Sequence, residues 1–236
     1  SLSAQLFHSL LIGTALAFLI CPYLMLHPTD INYLRLDEGQ HFFGWAFYRA
    51  DGWHWPITVT YDLMYPLGVS IVFTDSFPLL TVLLKSVSHF LPANFVFHGI
   101  VLVLNLSLMF FSANLLLRKL TADRTYSFFA SFFFVLATPF IFRFSASHAA
   151  LASHWLIVLS LVPLVTPSAQ PEKTLKLFWV LLLLSFGIHA YLSSMVMIFL
   201  LTYVCQLLCQ KVIPILRIVK LSFFGVVTML LTMYVL

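Results

Sequence analysis

The stretch 95-FVFHGIVLVLNLSLMFFSANLLL-117 decides the fold. It carries no Asp, Glu, Lys or Arg and covers the roughly 20 apolar residues that a helix needs to cross a bilayer. Pro92 stands just before it, and Arg118 and Lys119 follow it at once. Comparable runs recur at Leu6–Leu26, Thr125–Phe142, Ala149–Thr166, Leu175–Tyr191, Ser194–Gln210 and Leu221–Leu236, which predicts seven spans with short loops after the second. Prolines mark several of the boundaries: Pro92, Pro139, Pro163 and Pro167.

Composition excludes the alternative. Of 236 residues, 61% are hydrophobic, 17% aromatic and 8% charged, with a mean hydropathy of +1.01. A soluble domain carries about 25% charged residues, and so few charges could not cover the surface of a soluble chain of this size. The expected fold class is therefore an all-α integral membrane protein, read as one module over residues 1–236. Ser1 at the start and an apolar run that stops mid-span at Leu236 predict a chain that continues. The cysteines, Cys21, Cys205 and Cys209, all lie in apolar runs and form neither a disulfide framework nor a zinc spacing. The first run is too long for a signal-peptide core and reads as an uncleaved span.

Basic residues orient the chain. With the N-terminus in the cytoplasm, the inner segments carry Arg118, Lys119, Arg124, Lys173, Lys176, Lys211, Arg217 and Lys220 against Asp123 and Glu172, a net +6. The outer segments carry Arg35, Arg49, Lys85 and Arg143 against six carboxylates, a net −2. The pI near 9.0 is then a topology signal and calls for no nucleic-acid partner. In this orientation all histidines but His8 fall at or near the outer face, together with Asp30, Asp37, Glu38, Asp51, Asp62 and Asp75. Ionisable groups close to a bilayer are costly and mark a path or a site.

The first outer loop, residues 27–94, is long, and long loops in compact proteins are usually functional. It holds two amphipathic segments expected to lie as interfacial helices. In Phe77–Leu91, the residues Leu79, Leu80, Leu83, Leu84, Val87, Phe90 and Leu91 share one face, with Thr81, Lys85 and Ser88 opposite. Asp75 or Ser76 can cap its start, and Pro92 ends it. The second runs from Asp37 to Arg49 with Phe42, Trp45, Ala46 and Arg49 in register. Trp45, Trp53 and Trp55 suit the headgroup level.

One span, a large outer loop with early acids and surface helices, then short-looped spans: this order resembles the GT-C superfamily of membrane glycosyltransferases. More narrowly it resembles an uncharacterised family of bacterial multi-pass inner-membrane proteins grouped with them. The match is carried by Phe43-Gly-Trp45, by Asp51-Gly-Trp-His-Trp-Pro56, by the run Tyr65–Leu79, by Lys85 with Leu91-Pro92, and by Arg143–Trp155. The resemblance implies a multi-pass protein of the bacterial inner membrane, cytoplasmic at its N-terminus, with the large loop periplasmic. Its implied reaction is hexosyl or pentosyl transfer from a polyprenyl-phosphate sugar to a lipid, polysaccharide or protein acceptor. It places a catalytic acid early in the first outer loop, where Asp37 and Glu38 stand; the aspartate-any-aspartate motif of some members is absent.

For Asp37 or Glu38 as general base, a competing role is charge compensation at a helix N-terminus. Asp75 has the same two readings. Arg143 can bind phosphate oxygens bidentately, with His148 and His154 adding donors and Arg49 a second contact. His148 and His154 are six apart, about 120° around a helix, not the i, i+4 pairing of a helical metal site. No metal cofactor is therefore expected from ligand spacing. There is no Gly-rich phosphate loop, nucleophile elbow or Walker pattern. The acids and cations are expected to converge on one cavity. The rival class is a transporter, or a binder of lipid-linked sugar, that performs no chemistry.

Overall fold

The computed structural model describes residues 2–34, 37–74, 76–145, 148–165 and 170–235; the side chains of Asp37, Phe144 and Ser145 are outside the description. Eleven α-helices and one two-stranded hairpin make up the described regular structure, apart from two short 3-10 turns.

The first helix, α1 (Leu2–Ile20), is exposed along most of its length and buries only Ser9, Gly13 and Ala17. These lie at i, i+4 and i+8, a stripe of small residues on one face. Where apolar side chains gain little by leaving lipid, small residues let two backbones approach and gain packing. The partner is α5 (His98–Leu120), and a Cβ on Gly13 would sit 2.5 Å from the backbone nitrogen of Ser107. Helix α5 is the mast of the bundle: 61% of its apolar window lies inside the protein, against 11% for the last helix, α11 (Ile215–Val235).

Against α5 also pack α6 (Arg124–Val135) and α8 (Trp155–Val165); α7 (Thr138–Ser145) follows α6, while α9 (Pro171–Ile188) and α10 (Ala190–Gln210) pack on each other and on α8. Asp123 caps α6, accepting from the N–H groups of Thr125 and Tyr126 at 2.8 and 3.0 Å. The break between α6 and α7 precedes Pro139, which has no N–H to continue the ladder. His189 separates α9 from α10, and its ring nitrogen accepts from Tyr191 N–H at 3.2 Å.

Five helical stretches are long and apolar enough to cross a membrane: Leu2–Ile20, His98–Leu120, Arg124–Arg143, Ala190–Gln210 and Ile215–Val235. Two of the seven expected segments differ. Helix α9 carries Glu172, Lys173 and Lys176 in its opening turns. Helix α8 has 11 residues, because 148–154 forms turns instead of the helix expected from Ala149. Asn105 of α5 is the physical reason: it donates to Ala149 O (3.1 Å) and accepts from Ser153 Oγ (2.9 Å) and Trp155 Nε1 (3.2 Å), taking up polar groups along this segment.

Residues 27–94 form a cap at one end. After α2 (Pro22–Leu26) comes α3 (Asp37–Ala50), close to the expected Asp37–Arg49 helix, burying His41, Phe42, Trp45 and Tyr48. Strands β1 (Val59–Thr60) and β2 (Val69–Ser70) pair antiparallel, and α4 (Pro78–Ser86) follows. Bonds fasten the cap to the helix ends below it: Val96 N–H to Pro28 O at 2.7 Å, Trp45 Nε1 to Phe95 O at 3.0 Å and Ile57 N–H to Val235 O at 2.8 Å. Gly187, near the end of α9, packs against Leu79.

Helix α4 is shorter than the Phe77–Leu91 segment and is not capped as expected. Its N-cap is Phe77, with a positive φ of 57° and no side-chain cap; Ser76 Oγ donates to His41 O. Asp75 lies outside the described residues. At about 1.5 Å per residue, nine residues rise about 14 Å, too little to cross a hydrocarbon layer of about 30 Å. Both faces of the helix meet protein: Leu80 and Leu84 pack against the core. Thr81 and Lys85 are buried, while Leu83 is exposed.

Replacing Gly13 by Ala should lower stability by about 1–3 kcal/mol, since the added methyl meets backbone that cannot swing aside. Gly39→Ala, with nothing within 4 Å of the new Cβ, should be neutral or gain up to about 1 kcal/mol. Reversible unfolding in mixed micelles measures both.

Candidate functional site

Beneath the cap lies a cavity of about 280 Å³, its wall formed in part by Cys21, Glu38, His98, Phe140, Ile141 and Ala149. Five separate parts of the chain meet there, Cys21 standing between α1 and α2. Glu38 comes from the first turn of α3, and His98 opens α5. Phe140 and Ile141 lie two to three residues before Arg143, and Ala149 directly follows His148. The remaining wall is largely aliphatic, from Ile20, Leu24, Leu102 and Leu106.

Glu38 is half-buried, and its charge reaches its neighbours. Burial, and next the Glu38 carboxylate, push up both the Cys21 thiol and the Tyr33 phenol. His98 is 4% exposed, and among the described residues neither ring nitrogen has a hydrogen-bond partner. Its ring stacks at 6.0 Å on His41, which is 2% exposed, and at 4.8 Å on Phe97. A buried polar group without a partner costs free energy, so this imidazole at a cavity wall is the most unusual polar group of the cap end.

Arg143 and His154 are neighbours. Burial, followed by the Arg143 charge, lowers the proton affinity of the His154 imidazole. His154 also meets the edge of Phe140 at 6.2 Å between ring centres. His148 is tied back by its N–H to Arg143 O at 2.8 Å. Arg143, His148 and His154 do not themselves line the cavity; their chain neighbours Phe140, Ile141 and Ala149 do, while Glu38 lies in the wall itself. Asp75 and the side chain of Asp37 fall outside the described residues.

Arg49 is engaged elsewhere. Its guanidinium donates to the carbonyls of Ser88 and Leu91 at 2.6 Å each, to Ala93 at 3.2 Å and to Pro92, while lying over the Trp45 ring. It clamps the 88–93 turn onto α3.

The Asp51-Gly-Trp-His-Trp-Pro56 stretch builds the cap in the same way. The Asp51 carboxylate accepts from Gly52 N–H (2.7 Å), Tyr61 N–H (2.6 Å), Thr60 Oγ1 (2.9 Å) and His54 Nε2 (2.9 Å). The His54 contact and then the other donors hold the acid well below the usual carboxylate range. Lys85 donates to Gly52 O at 2.7 Å, and its ammonium lies 3.9 and 4.7 Å from the Tyr48 and Trp53 ring centres. The buried polar face of α4 is thereby satisfied.

A family described as a domain of unknown function, DUF6311, matches residues 10–236. The chain belongs to this DUF6311 family. No curated protein and no solved structure matches it. Membership covers the cap and the whole bundle, so both are parts of the DUF6311 unit.

Sequence reasoning placed Glu38 but not His41 or His98 among the site residues. The signal was present as spacing. Glu38 and His41 are i, i+3 on α3, and His98 and Asn105 are i, i+7 on α5, each pair sharing a helix face. Among the described residues, no three His, Cys, Asp or Glu gather as a metal site.

Arg49→Ala should open the 88–93 turn to proteolysis, and Arg49→Lys should rescue little, because an ammonium cannot span four carbonyls as a guanidinium fork does. Limited proteolysis of the two variants, with mapping of the cleaved bond, measures this. A pure phosphate role would leave the turn as resistant as in the parent.

Proposed function

We propose that this chain is a multi-pass GT-C-type membrane glycosyltransferase that moves a hexose or pentose from a polyprenyl-phosphate carrier at the outer leaflet of the bacterial inner membrane. The observation that carries the reading is the cavity: a carboxylate, a buried imidazole and a largely aliphatic wall, with Arg143, His148 and His154 beside it.

In this reading seven helical segments cross the bilayer, with α8 and α9 as two of them. The N-terminus is cytoplasmic and residues 27–94 are periplasmic. The outward apolar residues of the cap support the placement: Leu83 on α4, Phe43 and Phe47 on α3, and Met64, Tyr65 and Leu67 at the hairpin tip are exposed. Such side chains suit a helix or loop resting on lipid.

The chemistry follows from the groups. Glu38, or its neighbour Asp37, takes the proton of an acceptor hydroxyl. The hydroxyl oxygen bonds to the anomeric carbon as the bond from that carbon to the phosphate oxygen breaks. Polyprenyl phosphate leaves, and Arg143 with His148 and His154 offsets its charge, as fixed donors do for charge that develops in a transition state. No metal is required for this step. The isoprenoid lies along the aliphatic wall, and the acceptor is a lipid, polysaccharide or protein. Asp75 is kept as an alternative acid. Arg49, whose donors are already used, is set aside. A second reading, binding of the lipid-linked sugar without transfer, is favoured by how apolar the wall is.

Purified protein given a panel of polyprenyl-phosphate hexoses and pentoses should release polyprenyl phosphate, read by mass spectrometry. Glu38→Gln or Asp37→Asn should lower release by at least about 100-fold while donor binding persists. Arg143→Ala should weaken donor binding instead. Full activity in both amide variants rejects the base assignment, and binding without release selects the second reading.

Topology has its own test. In a cysteine-free background, a Cys at Asn32 or Asp62 should react with a membrane-impermeant reagent from the periplasm, and one at Ala122 should not. The opposite pattern moves every candidate residue to the cytoplasm.

A further inference from the structure

We propose that the groove between α9 and α11, at the basic end of the bundle, binds one anionic glycerophospholipid. Its phosphate sits on Lys176, Lys220 and Arg217, and its acyl chain lies along Trp179, Leu183 and Phe224. The proposal is independent of the transfer reading, whose cavity lies at the opposite end.

The groove has a volume of about 860 Å³, against about 280 Å³ for the cavity beneath the cap. Both its walls read as single helical faces. Lys176, Trp179, Val180 and Leu183 line α9, while Arg217, Lys220, Phe224 and Thr228 line α11. The charge balance at its mouth is three cations to one carboxylate. Glu172 is already paired, accepting from Arg217 Nε at 2.6 Å. Lys176 and Lys220 pair with no carboxylate among the described residues. The mouth therefore offers a net positive charge with two free ammonium groups, which complements a phosphodiester and repels a cationic partner. Basic pockets between helices at the end of a bundle are suited to anionic headgroups.

Depth supplies the second argument. At about 1.5 Å per residue, Trp179 lies about 4.5 Å deeper than Lys176, and Phe224 about 6 Å deeper than Lys220. Passing inward, a ligand meets ammonium groups and then a largely apolar wall of Trp179, Leu183 and Phe224, with the Thr228 hydroxyl turned back onto Phe224 O. That is the order of a phospholipid: phosphate, then acyl chain. Among the described residues Trp179 Nε1 has no hydrogen-bond partner and is itself buried, so the ring offers the groove apolar surface. Gly225 makes the wall possible, since a Cβ there would fall 2.1 Å from the Trp179 ring. A free phosphate would use the mouth alone and leave the apolar length of the groove uncovered.

The full chain in neutral detergent, given equal amounts of phosphatidylglycerol and phosphatidylcholine with identical acyl chains, is examined by native mass spectrometry. We expect one phosphatidylglycerol to be retained at least fivefold over phosphatidylcholine. The Lys176→Gln/Lys220→Gln double variant should abolish the preference, and Lys119→Gln, which changes a basic residue outside the groove, should keep it. Both groove lysines are exposed, so folding is not at stake. A photo-crosslinker at Phe224 should capture lipid. Equal retention of the two lipids, an unaffected double variant, displacement by soluble glycerol phosphate, or a crosslink at 224 to protein would each overturn the proposal.

Discussion

One buried amide governs how this bundle is laid out. Asn105, 1% exposed, sits in the middle of the most enclosed helix and uses both ends of its side chain. Where water is scarce, every backbone and side-chain polar group must find a partner within the protein. Asn105 meets that demand for Ala149 O, the Ser153 hydroxyl and the Trp155 indole together, so residues 148–154 can follow α5 without being helical. Helix α8 therefore starts at Trp155, and Ala149 reaches the cavity wall. His148, Arg143 and His154 are held beside that wall by the same attachment. Removing the amide would strand three polar groups in an apolar setting, each worth about 1–3 kcal/mol.

The spans were legible because apolar length is a direct consequence of bilayer thickness, and α1, α5, α10 and α11 overlap the runs read from the sequence. The interruption before Pro139 and the turn-rich start of α8 were harder, since the second depends on a contact with a residue over forty positions away. Helix α4 shows another limit. Its 3.6-residue period was visible, but periodicity names two faces and does not say which one turns inward. Lys85 settles the matter: Gly52 O and two aromatic faces stand in for its water, so the polar face can be buried. Leu83 is left exposed, while Leu79, Leu80 and Leu84 are half-buried, the last two against the core.

The candidate site was legible to the same uneven degree. Glu38 stood out because acids are rare in so apolar a chain. His98 did not, because a histidine at the head of a helix is expected to bond to a neighbouring helix, and here both nitrogens lack such a bond. Arg49 shows why residue type alone misleads. A guanidinium recognises oxygen, and carbonyl oxygens of a turn serve it as well as phosphate oxygens do. Only the positions of Ser88, Leu91, Pro92 and Ala93 relative to α3 distinguish the two, and these are set by tertiary structure.

Polar groups within the bundle bear on the choice between a site at one end and a path through the middle. A transport path needs polar side chains turned into a shared channel at mid-depth. Several buried hydroxyls here are turned back on their own helices: Ser127 onto Asp123 O, Ser131 onto Ser127 O, Ser160 onto Leu156 O and Ser185 onto Leu182 O. Bonds of this kind satisfy the hydroxyl locally and leave little to offer a passing solute. Asn105 is likewise fully engaged. Among the described residues, the buried side-chain groups without a hydrogen-bond partner include Ser107 and Ser112 along α5 as well as His98 under the cap. Two separate hydroxyls on one helix do not form a continuous channel, so the proposed lipid-linked-sugar reading rests on the cavity beneath the cap, with Glu38 and His98 in its wall.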